Sequence, residues 1–341
     1  MTRREPRSQR ISFTQEDRIG GPLVVLGRFV KIILCRMLRL FVATLCTLLF
    51  LTGCSVLGDD SAKKHLFWKV SDSNSTVYLL GSLHFADSTF YPLDTVIENT
   101  FDRSEELAVE IDIDNDSISK QIALMMEQHG FFNDGRVLDS VIPATVSKSL
   151  DSLCLTWNLP LGSFSRYKPM SAGMTVTAVG IMRLGYDANL GIDVHFLKKA
   201  HDAGKNVISL ETVEEQAFVL TGGDDSDSLG IFYLETILRE TPSLDSATRG
   251  MMRAWKTGND SLFCVYMNLD TVQLSHTDSL FKKEINERIY YSRNRKMAES
   301  IADFLAKDRK VFVIVGAAHL AGNHENVIDI LRSKGFTAEQ L

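Results

Sequence analysis

Two stretches of this 341-residue chain share one design, although 235 residues separate their final histidines: Val77-Tyr78-Leu79-Leu80-Gly81-Ser82-Leu83-His84 and Phe312-Val313-Ile314-Val315-Gly316-Ala317-Ala318-His319. Each is an apolar run rich in β-formers that leads into Gly-x-x-His. A continuous run of this kind suits a strand buried on both faces. Glycine permits a tight exit, and the histidine is then presented at the strand's carboxyl end, the edge where α/β sheets hold ligands. Two imidazoles from two such strands can converge on one divalent ion, which would bring their nitrogens to roughly 3 to 5 Å of each other. For either copy alone, a histidine satisfied by a nearby backbone group is the alternative.

The rest of the body is read around these two strands. Residues 66–70 and 76–80 flank the turn-forming Ser71-Asp72-Ser73-Asn74 and predict a β-hairpin. Residues 107–113, 206–210, 310–315 and 335–339 predict further strands. Helical periodicity marks 117–129, 172–184, 191–203, 213–220, 229–240, 246–256 and 278–307. Strands at both ends and helices between them predict an α/β fold, its sheet built from both chain ends, with a mostly helical insertion over about 115–300.

Glu110 sits inside Leu107-Ala108-Val109-Glu110-Ile111-Asp112-Ile113, where alternation should bury some positions. A carboxylate there needs a partner, and a metal ion or a histidine would supply one. Asp112 falls on the same face by the two-residue period, so a surface pair of acids is the competing reading. Glu211 lies at the exit of the 206–210 strand, either as a functional acid or as a helix N-terminal acid for the next segment. His195 and His201, six apart on one predicted helix, and His65, His129, His276 and His324, in polar or terminal contexts, are assigned no chemistry.

The N-terminus argues about location. Arg36 and Arg39 precede an apolar run from Leu40 to Leu51 that ends in Thr52-Gly53-Cys54, the layout of a secretory signal too short for a comfortable span. Leu51-Thr52-Gly53-Cys54 resembles a bacterial lipobox, in which Cys54 would be lipidated and become the first mature residue. Ser55 does not match an aspartate-based inner-membrane retention signal, which points to the outer membrane. Residues 55–64 then form a tether, and residues 65–341 the folded domain. Met1 and Met37 are alternative starts. Residues 1–54 hold nine Lys and Arg against three Asp and Glu, which leaves a mature body with a net charge of about −12. So acidic a body argues against nucleic acid as a partner. Cys154 and Cys264 remain, either paired or as buried free thiols.

Motif order then becomes informative. Gly81-Ser82-Leu83-His84, Phe90-Tyr91-Pro92-Leu93, Val109 to Asp112, Gly191-Ile192-Asp193 with Leu210-Glu211-Thr212 and Gln216 downstream, Arg293-Asn294 with Met297-Ala298, and Gly316 to Gly322 occur in the order of the TraB/GumN family. The chain resembles that family over roughly residues 65–341, and the family is similar to the Tiki metalloproteases. The resemblance implies a divalent ion (Mn, Co or Zn, not distinguished) on His84, His319 and Glu110. It implies Arg293, Asn294 and Glu211 as further residues of the catalytic pocket, with Arg293 or Asn294 stabilising a developing oxyanion. The function it implies is a metal-dependent peptide or amide hydrolase with a peptide or small-molecule substrate. The alternative is a lipoprotein that binds or sequesters a peptide signal without turnover. No HExxH, P-loop or GxSxG occurs, so zincin, nucleotide-binding and α/β-hydrolase readings fall away.

Overall fold

The computed structural model describes residues 64–223, 227–267, 275–321 and 325–341. The leader, Cys54 and nearly all of the tether lie outside these residues, as do Gly322 and His324. Six strands form one mixed sheet: β1 (Phe67–Ser71), β2 (Thr76–Ser82), β3 (Glu106–Val109), β4 (Asn206–Ser209), β5 (Val311–Gly316) and β6 (Thr337–Gln340), in the order β4-β3-β5-β2-β1-β6. β2, β5, β3 and β4 pair in parallel, while β1 pairs antiparallel with β2 and β6.

The hairpin expected from the sequence is present, and its turn has a local cause. Asp72 Oδ1 accepts from the backbone N–H of Asn74 (2.7 Å) and Ser75 (2.8 Å), an Asx turn that reverses the chain. At the centre of the sheet every residue of β5 is buried, as an unbroken apolar run in a parallel strand requires. Phe312 of β5 meets the rings of Phe101 (5.7 Å) and Phe196 (5.4 Å) across one face and Phe67 (5.7 Å) beside it. Full burial of a side chain of this size contributes roughly 1.5–3 kcal/mol.

Helices α1 (Thr95–Arg103), α2 (Asp116–His129), α3 (Ala144–Thr156), α4 (Pro169–Arg183), α5 (Ile192–Asp202), α6 (Val213–Thr221), α7 (Asp227–Glu240), α8 (Leu244–Lys256), α9 (Asp260–Met267) and α10 (His276–Asn286) fill the middle of the chain. A π-helical turn, Glu287–Tyr291, joins α10 to α11 (Ser292–Ala306); α12 (Ala317–Leu320) and α13 (Val327–Ser333) follow β5. The helical insertion has a core of its own, in which Leu150 and Cys154 of α3 pack with Ala172 and Val176 of α4 and Leu234 of α7. Cys154 and Cys264 are buried and form no disulfide.

Two sequence expectations change. The strand expected over 107–113 ends at Val109, because Glu110 turns away to a partner on β5. Asp112 is therefore no surface neighbour of Glu110: it is buried and paired with His201 Nε2 at 3.1 Å. The helix expected over 278–307 runs without a break from residue 276 to 306, with the π turn inside it.

Candidate metal centre

Because β2, β3, β4 and β5 are parallel, their carboxyl ends share one edge. Register aligns Ser82 with Gly316, Val109 with Ile314, and Val109 with Ser209. The residues that follow are delivered to the same place, and Glu211 N–H donates to Glu110 O (3.0 Å) to tie two of the exits together. Both motif glycines are there for space. A Cβ at Gly81 would lie 2.9 Å from Ala317 Cα, and one at Gly316 would lie 3.2 Å from Glu110 Oε1, 3.5 Å from His319 Cδ2 and 3.6 Å from His84 Nε2. Three candidate ligands therefore surround one point beside Gly316, and the two rings cannot be further apart than those last two radii allow.

His319, on α12, is buried. Its Nδ1 lies 2.5 Å from Asn294 Oδ1, while Asn294 Nδ2 donates to Glu325 O at 2.8 Å. The carbonyl partner fixes the orientation of the amide, so Nδ1 carries the ring proton and donates it, and Nε2 keeps its lone pair. That Nε2 stands 3.7 Å from Glu110 Oε1. Burial pushes the His319 pKa down to about 4, so the ring is neutral at physiological pH.

Glu110 is the first residue beyond β3. Its Oε1 accepts from Gly316 N–H (2.6 Å), and its Oε2 accepts from Arg293 Nη2 (2.7 Å) and Gln216 Nε2 (3.3 Å). Burial by itself would raise its pKa, but the surrounding positive field and the Gly316 N–H outweigh that and hold the carboxyl well below the usual carboxylate range. Where the carboxyl titrates, His319 is itself protonated and is the largest part of that field, followed by Arg293 and His84.

Arg293 is spent on positioning. Its Nε and Nη2 grip Glu211 at 2.5 and 2.8 Å, Nη2 also reaches Glu110, and Nη1 donates to Ile289 O at 2.9 Å. Its pKa is raised: desolvation opposes the charge, and the two carboxylates more than restore it. Arg293 gives four of its five N–H groups to Glu110, Glu211 and Ile289 O, and Asn294 Nδ2 gives one of its two to Glu325 O, so an oxyanion role for either would fall to its one remaining N–H. Glu211 is buried and holds Arg293 together with Gln216 Nε2.

His84 differs from the other ligand candidates. Its loop is tied to the start of α5 by Ile192 N–H donating to Leu83 O at 3.0 Å, and its side chain is 56 % exposed. Nδ1 donates to Asp193 Oδ2 at 3.0 Å, since a carboxylate can only accept. The charge on Asp193 is the main reason that the His84 pKa is pushed up to about 9. Sequence reasoning missed Asp193 as a site residue; Gly191-Ile192-Asp193 at a helix start was its one signal. It also missed Gln216, the Gly316 N–H, and Tyr290, whose ring centroid lies 5.8 Å from that of His319. His195 pairs instead with Glu98 (2.9 Å) and His65 with Asp94 (3.4 Å).

Among the described residues, no group of three or more His, Cys, Asp or Glu side chains already stands in a metal-holding arrangement. The donor set nevertheless fits a divalent ion in two respects. Imidazole nitrogen and carboxylate oxygen face one point, and Glu110 and Glu211 share the single guanidinium of Arg293, a buried cluster of formal charge −1 that a cation would balance.

The profile of the TraB/PrgY/gumN family matches residues 66–340, nearly the entire described chain. The chain belongs to the TraB/PrgY/gumN family. Within that setting it is similar to "Metalloprotease TIKI2" of Danio rerio, 26 % identical over 204 residues, which cover 54 % of this chain and 38 % of the relative. It is also similar to "Metalloprotease TIKI homolog" of Amphimedon queenslandica, 21 % identical over 335 residues (85 % and 64 %), and to an "Uncharacterized protein" of Treponema pallidum (strain Nichols), 20 % identical over 307 residues (87 % and 91 %). The matched region spans well under half the length of the Danio relative. No solved structure matches the chain.

Proposed function

We propose that this TraB/PrgY/gumN member is a metal-dependent hydrolase of peptide or amide bonds, held outside the cytoplasm by lipid on Cys54. The observation that carries the reaction class is the gathering of His84 Nε2, Glu110 Oε1 and the His319 ring around one point beside Gly316. Two metalloprotease relatives give the same direction. His84, His319 and Glu110 would hold the ion, and Zn, Mn and Co all accept such donors. When bound, a divalent ion acidifies a water and polarises the carbonyl under attack.

The chain's own groups prepare that chemistry. Asn294 keeps the His319 proton on Nδ1 and so leaves Nε2 available. Arg293 and Gly316 N–H hold Glu110 ionised and aimed. Asp193 orients the His84 ring by accepting its Nδ1 proton and favours the charged ring, whose second proton, on Nε2, has to leave before Nε2 can ligate.

The test is full-length protein in detergent incubated with a peptide library, first with chelator and then with Zn, Mn or Co restored, and products read by mass spectrometry. Cleavage that appears only with metal is expected. Intact peptides under every metal would sink the hydrolase, and binding without products would mark the pocket as a site of capture.

A further inference from the structure

Beside the centre lies a cavity of about 250 Å³. His84, Glu110 and Asp193 form its polar end. Ile111, Ile113, Val194 and Leu220 supply apolar wall from three different segments, namely the exit of β3, the first turn of α5 and the end of α6. An apolar recess that shares residues with a reactive centre is the usual form of a substrate subsite.

What decides its chemistry is how the polar end is already used. Glu110 is held by Arg293 and Gly316 N–H, and Asp193 Oδ2 by His84. Asp193 Oδ1 has no partner, but it is enclosed and so offers nothing to an occupant of the cavity. The Gln216 amide, which also lines the cavity, donates to Glu211 and Glu110. Apart from His84 Nε2, which faces the point beside Gly316, no ionic group there is left over to pair with a charged side chain, and burying an unpaired charge is costly. An aliphatic side chain meets no such cost and gains from each methylene it buries.

We infer that this cavity is a specificity subsite for a bulky uncharged side chain, aliphatic first, on a substrate residue next to the bond presented to His84 and Glu110. The inference rests on the hydrolase reading for the word substrate, but its test does not need turnover. Full-length protein in detergent with chelator is titrated by NMR with the N-acetyl amides of Gly, Ala, Leu, Phe, Asp and Lys. N-acetyl-leucinamide should bind at least about tenfold tighter than the glycine compound, as three or four further buried carbons warrant, and the Asp and Lys compounds no tighter than glycine. Val194→Trp, which fills the recess, should erase the preference. Leu220→Ala, which deepens it, should move the optimum from Leu to Phe, a gain that damage to the fold would not produce.

Equal affinity across the series, or tightest binding by Asp or Lys, overturns the subsite. So does a Leu220→Ala protein with an unchanged ranking. The two readings fail separately. Side-chain selectivity without cleavage under any metal leaves the subsite and removes the hydrolase, whereas metal-dependent cleavage with no side-chain preference does the reverse.

Discussion

Asn294 Oδ1 accepts the Nδ1 proton of His319 at 2.5 Å, while the same amide is anchored through its nitrogen to Glu325 O. Asn294 thus selects which His319 nitrogen faces Glu110. Asn294→Leu removes that selection and should weaken Zn binding about 10- to 100-fold, the usual loss when the partner of a ligating histidine goes. It should also cost about 1–3 kcal/mol of stability, because the buried ring and the Glu325 carbonyl lose their partners. Calorimetric Zn titration beside a thermal melt separates the two effects, and unchanged Zn affinity would make Asn294 purely structural.

Glu110→Gln keeps the shape of the side chain but cannot accept from both Gly316 N–H and Arg293 as the carboxylate does. The fold should persist with a modestly lower Tm, and metal affinity or turnover should drop at least about tenfold. His84→Ala should give the same phenotype through a different donor. The double variant should be little worse than either single, since the residues act as one unit. Independent, multiplicative losses in that cycle would separate the two residues.

Arg293 should be the costliest side chain of the centre to remove. Arg293→Ala leaves Glu110 and Glu211 buried together without their shared cation, and breaking a buried pair from one side costs about 3–5 kcal/mol. Lysine should rescue little, because one ammonium cannot reproduce the bidentate grip on Glu211 while also reaching Glu110. Denaturant unfolding measures this; a loss under about 1 kcal/mol for Arg293→Ala would contradict the arrangement.

Metal binding should depend on pH in a defined direction. His84, pushed up to about 9, carries a proton over most of the neutral range, and that proton has to leave before Nε2 can ligate. Affinity should therefore climb about tenfold per pH unit up to about 9 and then level. His319, pushed down to about 4, has already lost its competing proton and adds no slope there. Asp193→Asn removes the main cause of the high His84 value and should bring the plateau to lower pH. A flat profile between pH 6.5 and 9 would exclude His84 as a ligand.

Lipidation is checked most directly on the intact protein. Mass spectrometry should show a chain that begins at a diacylated Cys54, and Cys54→Ala should release it from membranes. An unmodified Cys54 would remove the anchor.

The apolar runs of β2 and β5 were legible because parallel central strands bury both faces, and this signal survives without knowledge of their neighbours. His84, Glu110 and His319 were legible for a related reason: a polar residue just past such a run is conspicuous. Glu211 was visible as an acid at a strand exit, but its role was not, because it acts through Arg293, 82 residues away. Asp193 was hidden in the same way, since only the folded chain brings it to His84 from 109 residues off. The π turn before Arg293 leaves the helical periodicity nearly intact, so one long helix was the natural reading. α3, which follows Pro143 and is rich in serine and threonine, advertises itself poorly by propensity.

β5 lies between β3 and β2, yet it is nearly the last element of the chain to be made. Until it arrives, the two older strands have no neighbour in common, and Gly316 and His319 do not yet exist to receive Glu110. A nascent chain released before residue 311 contains His84, Glu110, Glu211 and Arg293 but not the Gly316 N–H and His319 that complete their arrangement. The candidate centre is therefore completed last, when the domain closes around its penultimate strand.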